Sequence, residues 1–177
     1  VLPSLADSGD YAAYAISADG SLIAGVAVNN TGDSRAVLWS AISAGNFAAP
    51  VVLPVTTFAN SIDGVVVFSP FSLASGVARI GTDEILVVGE VEAGNGTIHA
   101  VFWRSTNGGT SFTPVDLGTN HVAYAVNTAR QIVGESDSVL APVRWSVSDQ
   151  GVASAPVSLA VSGSAVAIND NGRIAGW

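Results

Sequence analysis

Tyr14-Ala-Ile-Ser-Ala-Asp-Gly-Ser-Leu-Ile-Ala-Gly25 is one of four related segments in this chain. The others are Arg79-Ile-Gly-Thr-Asp-Glu-Ile-Leu-Val-Val-Gly89, Tyr124-Ala-Val-Asn-Thr-Ala-Arg-Gln-Ile-Val-Gly134 and Val166-Ala-Ile-Asn-Asp-Asn-Gly-Arg-Ile-Ala-Gly176. The first three are each followed by a tryptophan segment: Arg35-Ala-Val-Leu-Trp39, His99-Ala-Val-Phe-Trp103 and Pro142-Val-Arg-Trp145. The closing glycines are spaced by 64, 45 and 42 residues, and the tryptophans follow them by 14, 14 and 11. A period of about 40–50 residues belongs to four-stranded propeller blades, whereas β-solenoid coils repeat at about 20–30.

Each unit divides into four short strands, a to d. Strand a is small and apolar (Tyr14-Ala-Ile16, Tyr124-Ala-Val126). A turn of the Asp-Gly or Asn-Gly kind follows, suited to a tight hairpin. Strand b is a continuous apolar run, such as Leu22-Ile-Ala-Gly-Val-Ala-Val28 or Ile85-Leu-Val-Val88, and continuous apolarity predicts burial on both faces. Strand c ends in the tryptophan. Strand d is brief (Val51-Val-Leu53, Val115-Asp-Leu117, Val157-Ser-Leu159) and preceded by Pro50, Pro114 or Pro156, as suits an edge strand.

These readings predict an all-β chain of β-propeller-like, four-stranded blades. Blade 1 is expected over 12–54, an insertion over 55–74, blade 2 over 75–118, blade 3 over 122–160 and a partial blade over 164–177. Residues 1–5 are expected as a d strand completing that split fourth blade. The three indoles are expected at equivalent buried places on strand c.

Composition sets limits on function. Of 177 residues, 49% are hydrophobic and 11% charged, which suits one folded domain rather than a disordered chain. No apolar run is long enough for a membrane-spanning helix. The formal net charge is −8 and the six basic residues, all arginine, are scattered, so neither nucleic acid nor an anionic membrane is an expected partner. There is no cysteine, and hence no disulfide or thiolate chemistry. Opening at Val1 without a methionine is what signal-peptide removal, proteolysis or excision from a longer protein would leave.

The repeated strings, and His99-Ala100-Val101 with Phe102 and Trp103 above all, resemble the HAF-type family of extracellular bacterial repeats. The resemblance covers nearly the whole chain outside about residues 55–74. It implies an extracellular or bacterial cell-surface location, and it carries no catalytic residues to transfer.

Candidate chemistry is sparse. His99 and His121 are the only imidazoles and lack the clustered partners a metal site or a triad needs. Asp19, Asp83 and Asp170 fall in the a–b turns, where aspartate bonds its own backbone. The loop Asn29-Asn-Thr-Gly-Asp33 offers oxygens of the kind calcium takes, without an EF-hand pattern. Glu90 and Glu135 each follow the strand-b glycine and are candidate ligand-binding carboxylates on one rim, joined by Phe68 and Phe71 of the insertion as an aromatic patch. Val1, Leu2, Leu5, Ile174 and Trp177 are candidate self-association residues, because an unpaired strand edge is a template for another chain. The expectation is a non-enzymatic structural or adhesion module that self-associates or exchanges strands, as in a surface filament. A carbohydrate-binding propeller is the alternative, with a glycosidase behind it; no catalytic residue, cofactor or metal is assigned.

Overall fold

A computed structural model describes residues 1–5, 8–55, 68–93, 96–136 and 140–177, with the backbone alone at 8 and 68–70. The chain is all-β: its described residues form antiparallel sheets and no helix, so no helix is long and apolar enough to cross a membrane. Four sheets follow one another along the chain. The first contains β1 (Ser8–Ile16), β2 (Leu22–Asn29) and β3 (Ser34–Ser43), with the short β4 (Asn46–Phe47) and β5 (Val51–Val52) both paired to β3. The second runs β6 (Phe68–Ile80), β7 (Glu84–Ala93), β8 (Ile98–Ser105), β9 (Thr113–Thr119). The third runs β10 (His121–Val126), β11 (Gln131–Ser136), β12 (Ala141–Ser146), β13 (Val157–Ser158). The fourth contains β14 (Ala165–Ile168) and β15 (Ile174–Gly176).

In the first, third and fourth sheets the hairpin joining the first two strands is set by a short polar side chain. Asn127 Oδ1 accepts the Gln131 N–H at 2.9 Å, Asn169 Oδ1 accepts the Arg173 N–H at 2.9 Å, and Ser17 Oγ accepts the Leu22 N–H at 3.0 Å. Such side chains mimic a backbone turn, which is why Ser and Asn recur there. Gly20 and Gly172 take the positive φ that these turns need, at 70° and 75°.

The repeated glycine has a different cause. In every sheet the first strand carries a β-bulge opposite it, between Ala13 and Ala15, Ala74 and Gly76, Ala123 and Ala125, and Ala165 and Ala167. The extra residue pushes the bulged strand toward its neighbour. A Cβ on Gly25, Gly89, Gly134 or Gly176 would collide with the carbonyl oxygen of Ala12, Leu73, Val122 or Ser164 respectively. The sequence repeat is thus the record of a four-times-repeated bulge, and only a residue without a Cβ fits beneath it.

Successive sheets pack through their apolar strands. β6 lies against β2 and β3, β10 against β6, β7 and β8, and β14 against β10 and β11. As the continuous apolar runs predict, β2 and β7 are buried along most of their length. Trp39, Trp103 and Trp145 occupy equivalent places on the third strands, each fully buried. Their cross-strand partners are Ile23, Val87 and Ile132, each two residues before the bulge glycine. The Trp39 indole donates to the Pro3 carbonyl and the Trp103 indole to the Pro54 carbonyl, both at 2.7 Å. Each tryptophan also shares its apolar cluster with a leucine from the segment before its sheet: Leu2, Leu53 and Leu117.

Two expectations about boundaries need correction. Residues 1–5 form no strand. Leu2 and Leu5 instead pack on the Trp39 cluster of the first sheet, and Tyr11 Oη donates to the Leu2 carbonyl at 3.0 Å. The Pro3 carbonyl accepts the Trp39 N–H as the Pro54 carbonyl accepts that of Trp103, and no described strand pairs with residues 1–5. In addition, β6 begins at Phe68, inside the span expected as an insertion, while residues 56–67 of that span lie outside the described residues.

Polar contacts lock neighbouring sheets at the turn end. Arg79 Nε donates to Ser21 Oγ at 2.9 Å and lies 3.4 Å from the Asp19 carboxylate. Glu84 is held by Arg104 at 2.7 Å and by Arg130 at 2.5 Å, and Arg130 also reaches Asp149 at 2.9 Å. The Ser17 hydrogen bond, with Ser21 and Arg79, holds the Asp19 carboxyl at about 2. Burial pushes the Glu84 carboxyl up, but hydrogen bonds from Arg130 and Arg104 outweigh it and hold it below its ordinary value. Both folded pKa values lie below the unfolded ones, so these groups stabilise the fold fully above the unfolded values. That contribution is lost as the pH falls through the folded values. The melting temperature is therefore expected to hold from neutral pH to about pH 5 and to fall between about pH 5 and 2. Glu84→Gln should flatten the upper part of that decline. Thermal melts by circular dichroism across this range check it, and a flat profile would show that the arginine cluster adds nothing.

Candidate strand-docking edge

The fourth hairpin is fixed to the third sheet from both ends. At the turn end, Asn127 Nδ2 donates to the Asn169 carbonyl at 3.0 Å, and the Asp170 carboxylate accepts the Thr128 N–H at 2.9 Å. That backbone hydrogen bond holds the Asp170 carboxyl below its ordinary value. At the other end, Glu135 accepts hydrogen bonds from Tyr124 Oη at 2.9 Å and from Ser164 Oγ. Backbone bonds between Ser164 and Trp177, at 2.8 and 3.2 Å, continue the pairing one step beyond β14 and β15.

β15 pairs with β14 on one side, and no strand lies on its other side among the described residues. Its equivalents β2, β7 and β11 are each flanked by two strands and buried, whereas β15 is half-buried at Ile174 and exposed at Ala175 and Gly176. Beside it runs a cleft of about 320 Å³ lined by Pro142, Leu159, Val161, Ser164, Ile174 and Trp177, among others. Trp177 is 78% exposed and Val161 63%. An edge with unpaired backbone groups and an apolar border is chemically suited to receive an extended strand.

The remaining candidate residues fall elsewhere. Glu90 is half-buried on β7, opposite Leu73 and Ala100, and is engaged by a neighbouring group. Glu135 is a joint between the third and fourth sheets rather than a carboxylate presented to a ligand. Phe71 is half-buried on β6, and the side chain of Phe68 lies outside the described residues. Of the self-association candidates, Ile174 and Trp177 lie together at the cleft, whereas Leu2 and Leu5 are spent on Trp39 and Val1 is exposed. His99 pairs with Asp116 at 3.0 Å between β8 and β9, and His121 stands edge-on to Trp145 with ring centroids 5.7 Å apart. The Asp33 carboxylate accepts from Asn29 Nδ2 at 2.9 Å and Thr31 Oγ1 at 2.8 Å, so that loop's side-chain oxygens accept from donors within the loop.

Sequence reasoning missed Leu159 and Val161 as site residues, because they read only as the end of a d strand and the start of a connection. The signal was present: Leu53-Pro-Val55 and Leu159-Ala-Val161 align, and the Leu53 and Leu159 N–H groups make the same bond, to the Ala36 and Pro142 carbonyls, at 2.9 Å each. No protein-family model matches the chain, and a search of curated protein sequences finds no match.

Proposed function

We propose that this chain is a non-catalytic, propeller-like repeat module that works outside the cell by strand-mediated association with polypeptides of its own repeat type. The observation that carries the reading is the apolar outer edge of the meander sheets: β5 and β13 are edge strands among the described residues, with Val51, Val52 and Val157 exposed. The repeated meander sheets, stacked in chain order, support the propeller-like arrangement. The extracellular surface location, and a role in adhesion or in a filament, rest on the resemblance of His99-Ala-Val-Phe-Trp103 and its sister strings to HAF-type repeats. Glu135 bonded on both oxygens argues for a structural rather than a glycosidic role for that carboxylate.

Light scattering coupled to size-exclusion chromatography over a concentration series tests this. The expected mass rises with concentration above that of the 17.8 kDa chain. The double variant Val51→Lys, Val157→Lys should stay monomeric with an unchanged far-ultraviolet spectrum, since both side chains are exposed. A wild-type chain that remains a monodisperse monomer throughout would sink the proposal.

A further inference from the structure

We propose that Asn171, at the tip of the turn between β14 and β15, is a site of spontaneous covalent modification, where the side-chain amide is lost through a cyclic imide to give aspartate and isoaspartate. The inference is independent of strand-mediated association.

The chemistry needs an asparagine followed by a residue whose backbone nitrogen is unshielded, and glycine shields it least. The Gly172 nitrogen attacks Cγ of Asn171. That N–C bond forms, the bond from Cγ to the side-chain nitrogen breaks, and ammonia leaves. Water then opens the imide at either carbonyl. One opening restores an ordinary aspartate. The other leaves the chain running through the side-chain carboxyl, with an extra methylene in the backbone.

Asn-Gly occurs as Asn95-Gly96, Asn107-Gly108 and Asn171-Gly172, and Asn95 lies outside the described residues. Asn107 and Asn171 are both exposed, and both glycine amides are hydrogen-bonded: Gly108 to the Asp83 carbonyl at 2.8 Å, Gly172 to the Asn169 carbonyl at 2.9 Å. The side chains differ. Asn107 Oδ1 accepts from Ser105 Oγ at 2.8 Å and from the Ser111 N–H at 3.1 Å, and its Nδ2 donates to Ser111 Oγ at 2.9 Å. The Asn171 side-chain amide has no hydrogen-bond partner among the described residues, so nothing holds it away from Gly172. Its exposure belongs to the turn itself, since Asp19 and Ala129 hold the same place in the first and third sheets and are exposed as well. Asp19 is pinned by the Ser17 and Ser21 hydroxyls at 2.5 and 2.7 Å, and Ala129 has no amide to lose.

The modified turn cannot keep its bonds. Asn169 Oδ1 accepts the N–H groups of Asn171 at 3.1 Å and Arg173 at 2.9 Å, and the extra methylene of isoaspartate falls between those two donors. The Asn169 carbonyl and the Asp170 carboxylate tie the same turn to Asn127 and Thr128 of the third sheet. Isoaspartate at Asn171 therefore loosens β14 and β15 from their neighbour.

The intact chain is aged in mildly alkaline buffer, digested and read by mass spectrometry, with isoaspartate located by enzymatic methylation of its free α-carboxyl. A parallel sample is aged in concentrated urea. In the folded chain Asn171 should convert at least about tenfold faster than Asn107, whose side-chain hydrogen bonds must first open; in urea the two should convert alike. Asn171→Ala, which copies Ala129, should keep the far-ultraviolet spectrum and show no conversion at that turn. Amide exchange in residues 164–177 should quicken in the aged wild type and not in the aged variant. No conversion of Asn171 in the folded chain, or conversion no faster than that of Asn107, would overturn the site. A difference that persists in urea would overturn the structural cause. Conversion with unchanged exchange would overturn the loosening.

Discussion

Trp103→Ala is expected to cost about 3–5 kcal/mol of folding stability, the range for truncating a large buried aromatic. The indole is fully buried among Leu38, Leu53, Val87 and Val101, in the cluster that joins the first sheet to the second. It also anchors the connection between those sheets, through the bond from its Nε1 to the Pro54 carbonyl. Truncation would therefore open a cavity and remove the donor from a half-buried acceptor. The two effects separate in a second pair of variants. Trp103→Phe keeps most of the packing and loses the bond to the Pro54 carbonyl, which costs about 0.5–1.5 kcal/mol. Trp145→Phe should cost less, because the Trp145 indole is equally buried but its Nε1 has no hydrogen-bond partner among the described residues. Urea unfolding at constant slope is the measurement. A loss under about 1 kcal/mol for Trp103→Ala would mean that the packing between sheets does not depend on this residue.

The strand order of each sheet was legible in the sequence because each strand has its own chemistry. Apolar runs became buried second strands, and proline-led segments became the outermost strands: β5 and β13 begin directly after Pro50 and Pro156, and β9 contains Pro114. The tryptophans fell where their spacing put them. What could not be read was long-range geometry. Val1-Leu-Pro-Ser-Leu5 looks like a strand by composition, yet no described strand pairs with it and its contacts are with the Trp39 cluster. The Glu84 cluster was also invisible. It draws Arg104, Arg130 and Asp149 from two sheets, and the residues five before the bulge glycine in the other copies, where Glu84 stands before Gly89, are Gly20, Ala129 and Asn171. Glu90 and Glu135 share a position in the repeat but not an environment, because only Glu135 has the Ser164 hydroxyl of the next hairpin beside it. A repeat predicts what its copies have in common.

Gly89→Ala is expected to be among the most damaging changes in the chain, although it adds one methyl group. The new Cβ would meet the Leu73 carbonyl carbon and oxygen and the Ala74 Cα, all backbone atoms of a bulge held in the middle of the longest strand. Side chains relieve overpacking by changing rotamer; a paired backbone cannot. A loss of at least about 3 kcal/mol is therefore expected, at the upper end for overpacking. Gly81→Ala is the control. Gly81 has a φ of 64° and nothing within 4 Å of an added Cβ, so its substitution costs only the left-handed conformation, about 1–2 kcal/mol. The two glycines separate steric from conformational need, and chemical denaturation of both variants measures the difference. Gly176→Ala adds a positional test. It collides with the Ser164 carbonyl in the same way, but in a hairpin whose outer edge is open. Its damage should stay local, loosening β14 and β15 while the first three sheets keep their stability. Amide exchange would then accelerate in residues 164–177 alone. Should Gly89→Ala fold with wild-type stability, the repeated bulge would not be the reason for the repeated glycine.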